Sequence, residues 1–498
     1  MAAYAAAREG VSVALVMAGP IGGMCAQGLG WTDTGKIGVI GGLCLEFFRR
    51  VGKVYNPTST SIVKNFEPHA AEHAFIAFIN EAGVTPVHVA TLSRVVTSGR
   101  NIEAIQLTDG SILRARAFVD ASYEGDLMAA AGCSHWIGRD ASTRFNEPNA
   151  GFDAVQANHH MPTRDSRGNL FPIIKPYPAQ ARFSADRAVQ SYTFRLCLTN
   201  DRSNMVAFPK PPGYDADRYG FELGLLNSPS AEFTPAPLPN NKFDLNGHYF
   251  GAAQDWPQAT PQRRKQIFQD HYNYQAGLLY FYAHDPRVPS TFRQQVNQYG
   301  LAKDEFTGTA NWPRQLYVRE ARRLVAKHVM LQRDTQTEIT KLHPIGMGSY
   351  SLDAHAAQVL EIKNGYMAYE GTFGTLATRA TNPYQIPYEA LLPREYDNFF
   401  VSVCVGASHV AFASLRMEPQ YMIMGEAAGC ASGLVAKRKT TSVAIATEMK
   451  SKLLSYGAVM KYGATAKAGD VGRLDNSVLQ SAAGDLDSER VTKLDPLY

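Results

Sequence analysis

Gly406-Ala407-Ser408-His409, Ser414-Leu415-Arg416-Met417-Glu418-Pro419 and Gly425-Glu426-Ala427-Ala428-Gly429 follow one another near the end of this chain of 498 residues. Just before them, Phe399 to Val405 is a continuous apolar run that reads as a strand buried on both faces. A strand feeding a small-residue turn with a histidine and an arginine, and then a glycine- and alanine-rich helix, marks an α/β fold. Strand ends and helix N-termini present unpaired N–H groups and partial positive charge to an electron-rich ligand. Gly425, Ala427, Ala428 and Gly429 allow close backbone approach, which predicts a large cofactor beside them.

The N-terminal part has the same α/β character. Ala2 to Arg8 is an alanine-rich helix end stopped by Gly10, and Val11 to Met17 reads as a buried strand. A glycine-rich loop, Gly19 to Gly30, follows it directly, a placement that predicts approach to a ligand. Pro68 opens a helix with Ala71, Phe75, Phe78 and Ile79 on one side and Gly83 at its end. Val84 to Val96 is a strand region, and Ile102 to Leu107 pairs with Ile112 to Val119 across Asp109-Gly110. Asp120 then stands where it can cap a helix beginning near Glu124.

From Cys133 to Asp334 prolines and aromatics dominate, and Gln262 to Tyr282 and Arg314 to Gln332 carry a helical period. The expected architecture is an α/β cofactor domain in two segments, 1–132 and 341–437. A helix-rich α+β substrate or cap domain is inserted at 133–340, and 438–498 forms a C-terminal helix (Ala444 to Tyr456) and a loose tail.

Composition removes several function classes. With 49 basic and 45 acidic residues the net charge is +4 and no basic stripe stands out, which argues against nucleic-acid and membrane-surface partners. The longest apolar stretch, Phe399 to Ala413, is interrupted by Ser402, Gly406, Ser408 and His409, so no membrane span is expected. No basic segment precedes the apolar Val11 to Ala18, so a secretory signal is not expected either. Cys25, Cys44, Cys133, Cys197, Cys404 and Cys430 are scattered without a CxxC pair, which predicts buried reduced thiols and a cytoplasmic location. Ser408 beside His409 lacks the geometry of a hydrolase, and no G-x-S-x-G elbow occurs.

Further blocks carry a resemblance. Gly28-Leu29-Gly30-Trp31-Thr32-Asp33, Gly41-Gly42, Phe66-Glu67-Pro68-His69, Asp120 to Leu127, Tyr317-Val318-Arg319-Glu320-Ala321-Arg322-Arg323 and Gly348 to His355 stand in order ahead of the C-terminal block. Over roughly residues 2 to 435 the chain resembles the FAD-dependent oxidoreductase family whose cofactor domain is of the glutathione-reductase and succinate-dehydrogenase type. The resemblance implies a Rossmann-like FAD-binding domain, FAD as cofactor and a small-molecule substrate. It also implies contacts to the cofactor from Gly22, Gly23, Met24, Gly30, Trp31, Ala121, Ser122, Ala407, Ser408, Arg416, Met417 and Gly425. Two features depart from it. The family's first strand and GxGxxG turn have no counterpart ahead of Ala2, and Met17 stands where an acidic residue usually meets the adenosine ribose. Either the chain is N-terminally truncated, which is the expectation, or it is a relative with weak or lost flavin binding that acts as a binding protein.

His409 and Arg416 are the leading chemical candidates. A histidine shuttles a proton near neutral pH while hydride passes from a hydroxyl-bearing carbon to flavin N5, and an arginine stabilises the anion that develops. The alternatives are a satisfied core histidine and an ion pair of Arg416 with Glu418 or Glu426. Arg319, Arg322 and Arg323 are expected on a helix with Glu320, two of them explained by exposed pairing, with Tyr317 and Arg319 free to point inward. Asp353 and His355 would share a strand face, carboxylate orienting imidazole. No third ligand stands near them, so no metal is expected. Tyr192, Phe194, Trp256, Tyr274, Phe281 and Trp312 are expected to line or lid the pocket, which suits an aromatic or sugar-like substrate.

Overall fold

The computed structural model describes residues 1–463 apart from 18, 85, 89–90, 154–157, 227–230, 338, 364 and 374–378. The expected loose tail, from 464 onward, lies outside the described residues.

Parallel strand pairs and packed helices make up the N-terminal region. The first strand is shorter than its apolar run, Leu15–Met17, and pairs in parallel with Pro86–His88. Phe118–Asp120 pairs in parallel with Phe399–Val401. No ladder joins the two pairs among the described residues, yet Val16 and Val87 pack in one apolar cluster with Phe118, Phe399 and Val401. The antiparallel sheet of Leu92–Ser98, Asn101–Leu107 and Ile112–Arg114 turns at Asp109-Gly110 as expected. There Gly110 takes a φ of 89° and Asp109 Oδ1 accepts from Ser111 N at 2.9 Å.

The Pro68–Glu81 helix begins at its proline and stops at Ala82 and Gly83. The Glu418–Arg438 helix is buried along its length to Val435, which explains its lack of a polar face. Its glycines serve a purpose other than the one predicted. Gly425, Gly429 and Gly433 recur every fourth residue, and the Ala2–Arg8 helix lies in the groove they leave. A Cβ on Gly429 would stand 2.2 Å from the Ala2 carbonyl oxygen, and one on Gly433 2.8 Å from Glu9 Cβ. Helix packing, rather than a cofactor, uses this stripe.

A five-stranded antiparallel sheet forms the centre of the insert, in the order Met205–Val206, Gly300–Ala302, Leu196–Thr199, Lys242–Leu245, Ala236–Leu238. The Pro261–His284 helix, capped by Thr260, packs beside it. Tyr192, Phe194, Trp256, Tyr274, Phe281 and Trp312 are all buried in one cluster here. They are the insert's own core, not a pocket lining, because large aromatic surfaces are what a proline-broken segment has to bury. A second sheet joins Ile174–Pro176 to Gln358–Lys363 and so draws strands from both sides of residue 340.

Arg314 to Gln332 is not a helix. The segment runs without regular structure to a short strand, Arg322–Leu324, that pairs with His135–Ile137. The expected exposed face of charges does not exist, since Arg319, Glu320, Arg322 and Arg323 are all buried. Carboxylates hold Arg322 and Arg323 in place, and carbonyl and amide oxygens hold Arg319, which overrides the local period. The six cysteines are free and buried, as expected.

Candidate functional site

The segment from Tyr317 to Arg323 divides its side chains between two buried networks. Arg319 enters one with Arg416, and Glu320 enters the other with His409.

In the first network Arg416 leaves the end of the His409–Leu415 helix and turns onto Asp353. Its Nη2 donates to Asp353 Oδ2 at 2.8 Å and to the Asp353 carbonyl at 2.9 Å, and Nη1 donates to the Tyr317 hydroxyl at 3.0 Å. The expected partners Glu418 and Glu426 are engaged elsewhere, with Tyr123 and with Arg8. His355 Nε2 lies 3.2 Å from the same Asp353 oxygen, although residues 349–355 form no strand. Burial opposes ionisation of Asp353, but the His355 hydrogen bond and the Arg416 charge prevail and hold its carboxyl well below the usual range. Burial and the Arg319 charge lower His355 to about 3. The His248 ring sits 4.8 Å from that of His355, and Asp33, raised by burial, hydrogen-bonds Tyr350 at the edge of the group.

In the second network His409 Nδ1 lies 2.9 Å from Glu320 Oε1, and Glu320 also pairs with Arg323. Arg323 reaches Asp140 at 3.0 Å and the Ala407 carbonyl at 3.1 Å. Ser408 caps the helix through Ala411 N at 3.1 Å and donates to Glu147 at 2.7 Å. His409 Nε2 has no partner and the ring lines a small cavity with Arg139, Asn149 and Phe373. His409 and Arg416 therefore stand at opposite ends of a helix, about 10 Å apart at 1.5 Å per residue. The structure brings Arg319, Arg416 and His355 together but leaves His409 outside.

A third group lies at the start of the Glu418–Arg438 helix. Tyr123 OH donates to Glu418 Oε1 at 2.7 Å and accepts from Met24 N at 3.0 Å. Burial raises Glu418 to about 7 against the Tyr123 hydrogen bond and Arg416. Gln420, in the same turn, is fully buried with both side-chain amide atoms unpartnered.

Residues 1–453 match the family described as FAD dependent oxidoreductase. The chain belongs to this family. Its cofactor is accordingly FAD, and no curated protein matches the chain closely enough to count as a relative. The residues beside Arg416 fit the flavin end of that cofactor. The family's flavin carries ring carbonyls and nitrogens that complement an orphaned carboxamide, and the buried Gln420 amide has both its polar atoms unpartnered.

The other residues expected at the cofactor are placed as follows. Met24 and Met417 are buried beside this corner, Met417 as the residue preceding the helix. Ser122 bonds Asp120, whose other oxygen accepts from Met128 N at 2.9 Å, so Asp120 caps the Asp126–Ala130 helix. Ala121 and Trp31 are exposed, and the Trp31 backbone N–H donates to Asp244 Oδ2 at 3.0 Å. The loop glycines meet protein atoms: a Cβ on Gly22 would strike the Phe75 ring at 2.6 Å, on Gly23 the Tyr123 hydroxyl at 2.7 Å, and on Gly30 the Phe66 carbonyl at 2.3 Å. Gly425 faces Met1 and Ala2. Asp33, His248 and Tyr350 were missed. Asp33 stood inside a family block; nothing near His248 in the sequence marks it.

Against the expectation of no metal, Glu67, His69 and Glu305 do present ligand atoms within 4.8 Å of one another. Lys242 already supplies a cation there, with its ammonium 2.8 Å from both glutamates. No helix among the described residues is long and apolar enough to cross a membrane.

Proposed function

We propose that this chain oxidises a small organic substrate at a carbon bearing a hydroxyl or similar group, at a site built on Arg416, Asp353 and His355. The observation that carries this reading is the single Asp353 oxygen shared by Arg416 Nη2 at 2.8 Å and His355 Nε2 at 3.2 Å. FAD, when bound, supplies the two-electron acceptor that takes the hydride. An ionised Asp353 beside a neutral imidazole requires the proton on Nε2, which leaves the Nδ1 lone pair to accept the substrate's hydroxyl proton. Arg416 keeps Asp353 ionised and places positive charge where negative charge develops. Tyr123, Glu418 and Gln420 would hold the flavin ring.

In this proposal the role of base expected for His409 passes to His355, which shares Asp353 with Arg416, while His409 lies at the far end of its helix with Nδ1 on Glu320 and its ring on the small cavity with Arg139. The six aromatic residues form a core and so give no support to an aromatic or sugar-like substrate. Six free, buried thiols support a reducing compartment such as the cytoplasm. The split cofactor domain is part of this proposal, supported by one apolar cluster that joins Tyr4, Phe47 and Phe78 to Met347 and Met422, while the cluster of the inserted cap also takes in Val359 and Met367.

Anaerobic mixing of the flavin-loaded protein with a panel of hydroxy compounds tests the reading. Bleaching of the oxidised flavin band by one of them, lost in His355→Ala with flavin retained, supports it; equal bleaching in His355→Ala sinks the assigned base. The filled glycine positions favour a second reading, a flavin-free binding protein. A colourless purified protein that takes up no added FAD would establish that one instead.

A further inference from the structure

Seven arginines are buried among the described residues: Arg139, Arg195, Arg264, Arg319, Arg322, Arg323 and Arg416. Six of them pair with carboxylates, on Asp186 and Glu370, Asp244, Asp126, Asp126 again, Asp140 and Glu320, and Asp353. Arg319 alone has none. Its guanidinium donates to the Ser191 carbonyl, to Asn246 Oδ1 at 2.9 Å and to the Gly247 carbonyl at 3.2 Å, and its Nε has no partner. Neutral oxygens satisfy some of its hydrogens but none of its charge.

Two more guanidiniums surround the same aromatic ring. Arg319 stands 4.8 Å, Arg416 5.9 Å and Arg195 6.0 Å from the centroid of Tyr317. Against these three charges are two committed carboxylates, Asp353 on Arg416 and Asp244 on Arg195. Asp33, the third acid of the group, hydrogen-bonds Tyr350 and forms no ion pair with any of the three arginines. The Arg319 charge is thus left without an ion-pair partner, in a place where an unpaired buried charge is costly. In keeping with this, burial, Arg416 and Arg195 bring Arg319 down to about 9, and burial together with the Arg319 charge depresses both His355 and His248.

Two of the residues that hold the Arg319 guanidinium, and its neighbour His355, reach the surface. Asn246 is exposed, Gly247 and His248 are half-buried, and the His355 side chain is 20% exposed. We propose that Arg319 is the docking group for a carboxylate on the substrate, so that the reduced partner of the flavin reaction is a hydroxy acid. A monoanion matches the single unpaired charge, whereas a phosphate dianion overshoots it, and a guanidinium edge suits the planar carboxylate. The bound carboxylate would also screen Arg319 from His355 and so restore basicity to the imidazole that takes the hydroxyl proton. Substrate docking and activation of the base are then one event.

This inference rests on the oxidoreductase reading for its chemistry but not for its binding test. The flavin-loaded protein is titrated with acetate and oxamate, with acetamide as the neutral counterpart and inorganic phosphate as the competing anion, all at matched ionic strength. Thermal midpoint and flavin absorbance are followed. Saturable rises with the two carboxylates, absent with acetamide and weaker with phosphate, are expected. Arg319→Met should weaken carboxylate binding about 10- to 100-fold, with Arg319→Lys intermediate. Equal responses to acetamide, tighter binding of phosphate, or carboxylate binding unchanged in Arg319→Met each overturn the assignment. A failure of Arg319→Met to fold leaves the wild-type acetate and acetamide comparison decisive. If carboxylates bind but no hydroxy acid bleaches the flavin, the oxidoreductase reading fails and the anion site stands. If neutral alcohols bleach it as fast as hydroxy acids, the reverse holds.

Discussion

Arg416 donates to Asp353 through two nitrogens and to both its side chain and its carbonyl, at 2.8 to 3.2 Å. That grip fixes the carboxylate against His355 and makes Asp353 a positioning residue. Asp353→Asn keeps an acceptor for Arg416 but removes the charge that orders the His355 tautomer. Substrate-dependent flavin reduction should fall by about 10²- to 10³-fold with flavin still bound, measured by stopped-flow absorbance. Unchanged reduction would remove Asp353 from the mechanism.

Glu418 gives stability a pH dependence of predictable sign. Its folded pKa is raised to about 7, above the unfolded value of about 4.3. Between these values the folded protein holds a proton that the unfolded chain has lost. The contribution of Glu418 is therefore complete below about pH 4 and disappears as pH rises through about 7, a change on the order of 3 kcal/mol. Glu418→Gln should flatten the wild-type decline between pH 5 and 7, read from urea midpoints at each pH.

Gly429→Ala tests the use of the glycine stripe. Its Cβ would meet the Ala2 carbonyl at 2.2 Å, and backbone cannot yield as a side-chain tip does. A loss of about 1–3 kcal/mol is expected. Gly425→Ala, whose Cβ finds Met1 Cβ at 3.3 Å, should cost less. Thermal unfolding of the two variants orders them, and equal midpoints would deny the tight contact.

Lys242→Ala should turn an ion-pair cluster into a metal site. Removing the ammonium leaves Glu67 and Glu305 buried without their cation, at a cost of about 3–5 kcal/mol. Glu67, His69 and Glu305 then offer Zn²⁺ an oxygen and nitrogen ligand set of suitable type. Added Zn²⁺ should restore part of the lost thermal midpoint in the variant and leave the wild type unchanged.

Features governed by neighbouring residues were legible in the chain itself. The Ala2–Arg8, Pro68–Glu81 and Pro261–His284 helices, the turn at Asp109-Gly110 and the burial of the thiols all follow from caps, periods and composition. The ordered blocks were enough to identify the family, because each is a local motif. Other features depend on which distant residue supplies the opposite charge or the opposing surface. Arg416 and Asp353 are 63 residues apart, and nothing local favours that pairing over Glu418 or Glu426. The period of Arg314 to Gln332 suggested a helix, but burying Arg319 against neutral oxygens and Arg322 and Arg323 against separate carboxylates demanded an irregular path. Glycines at 425 and 429 announce a close approach without saying to what, and the Ala2–Arg8 helix takes the space. The unpaired charge on Arg319 is of the same kind: a sequence counts arginines and aspartates, but only folding decides which of them is left without a partner.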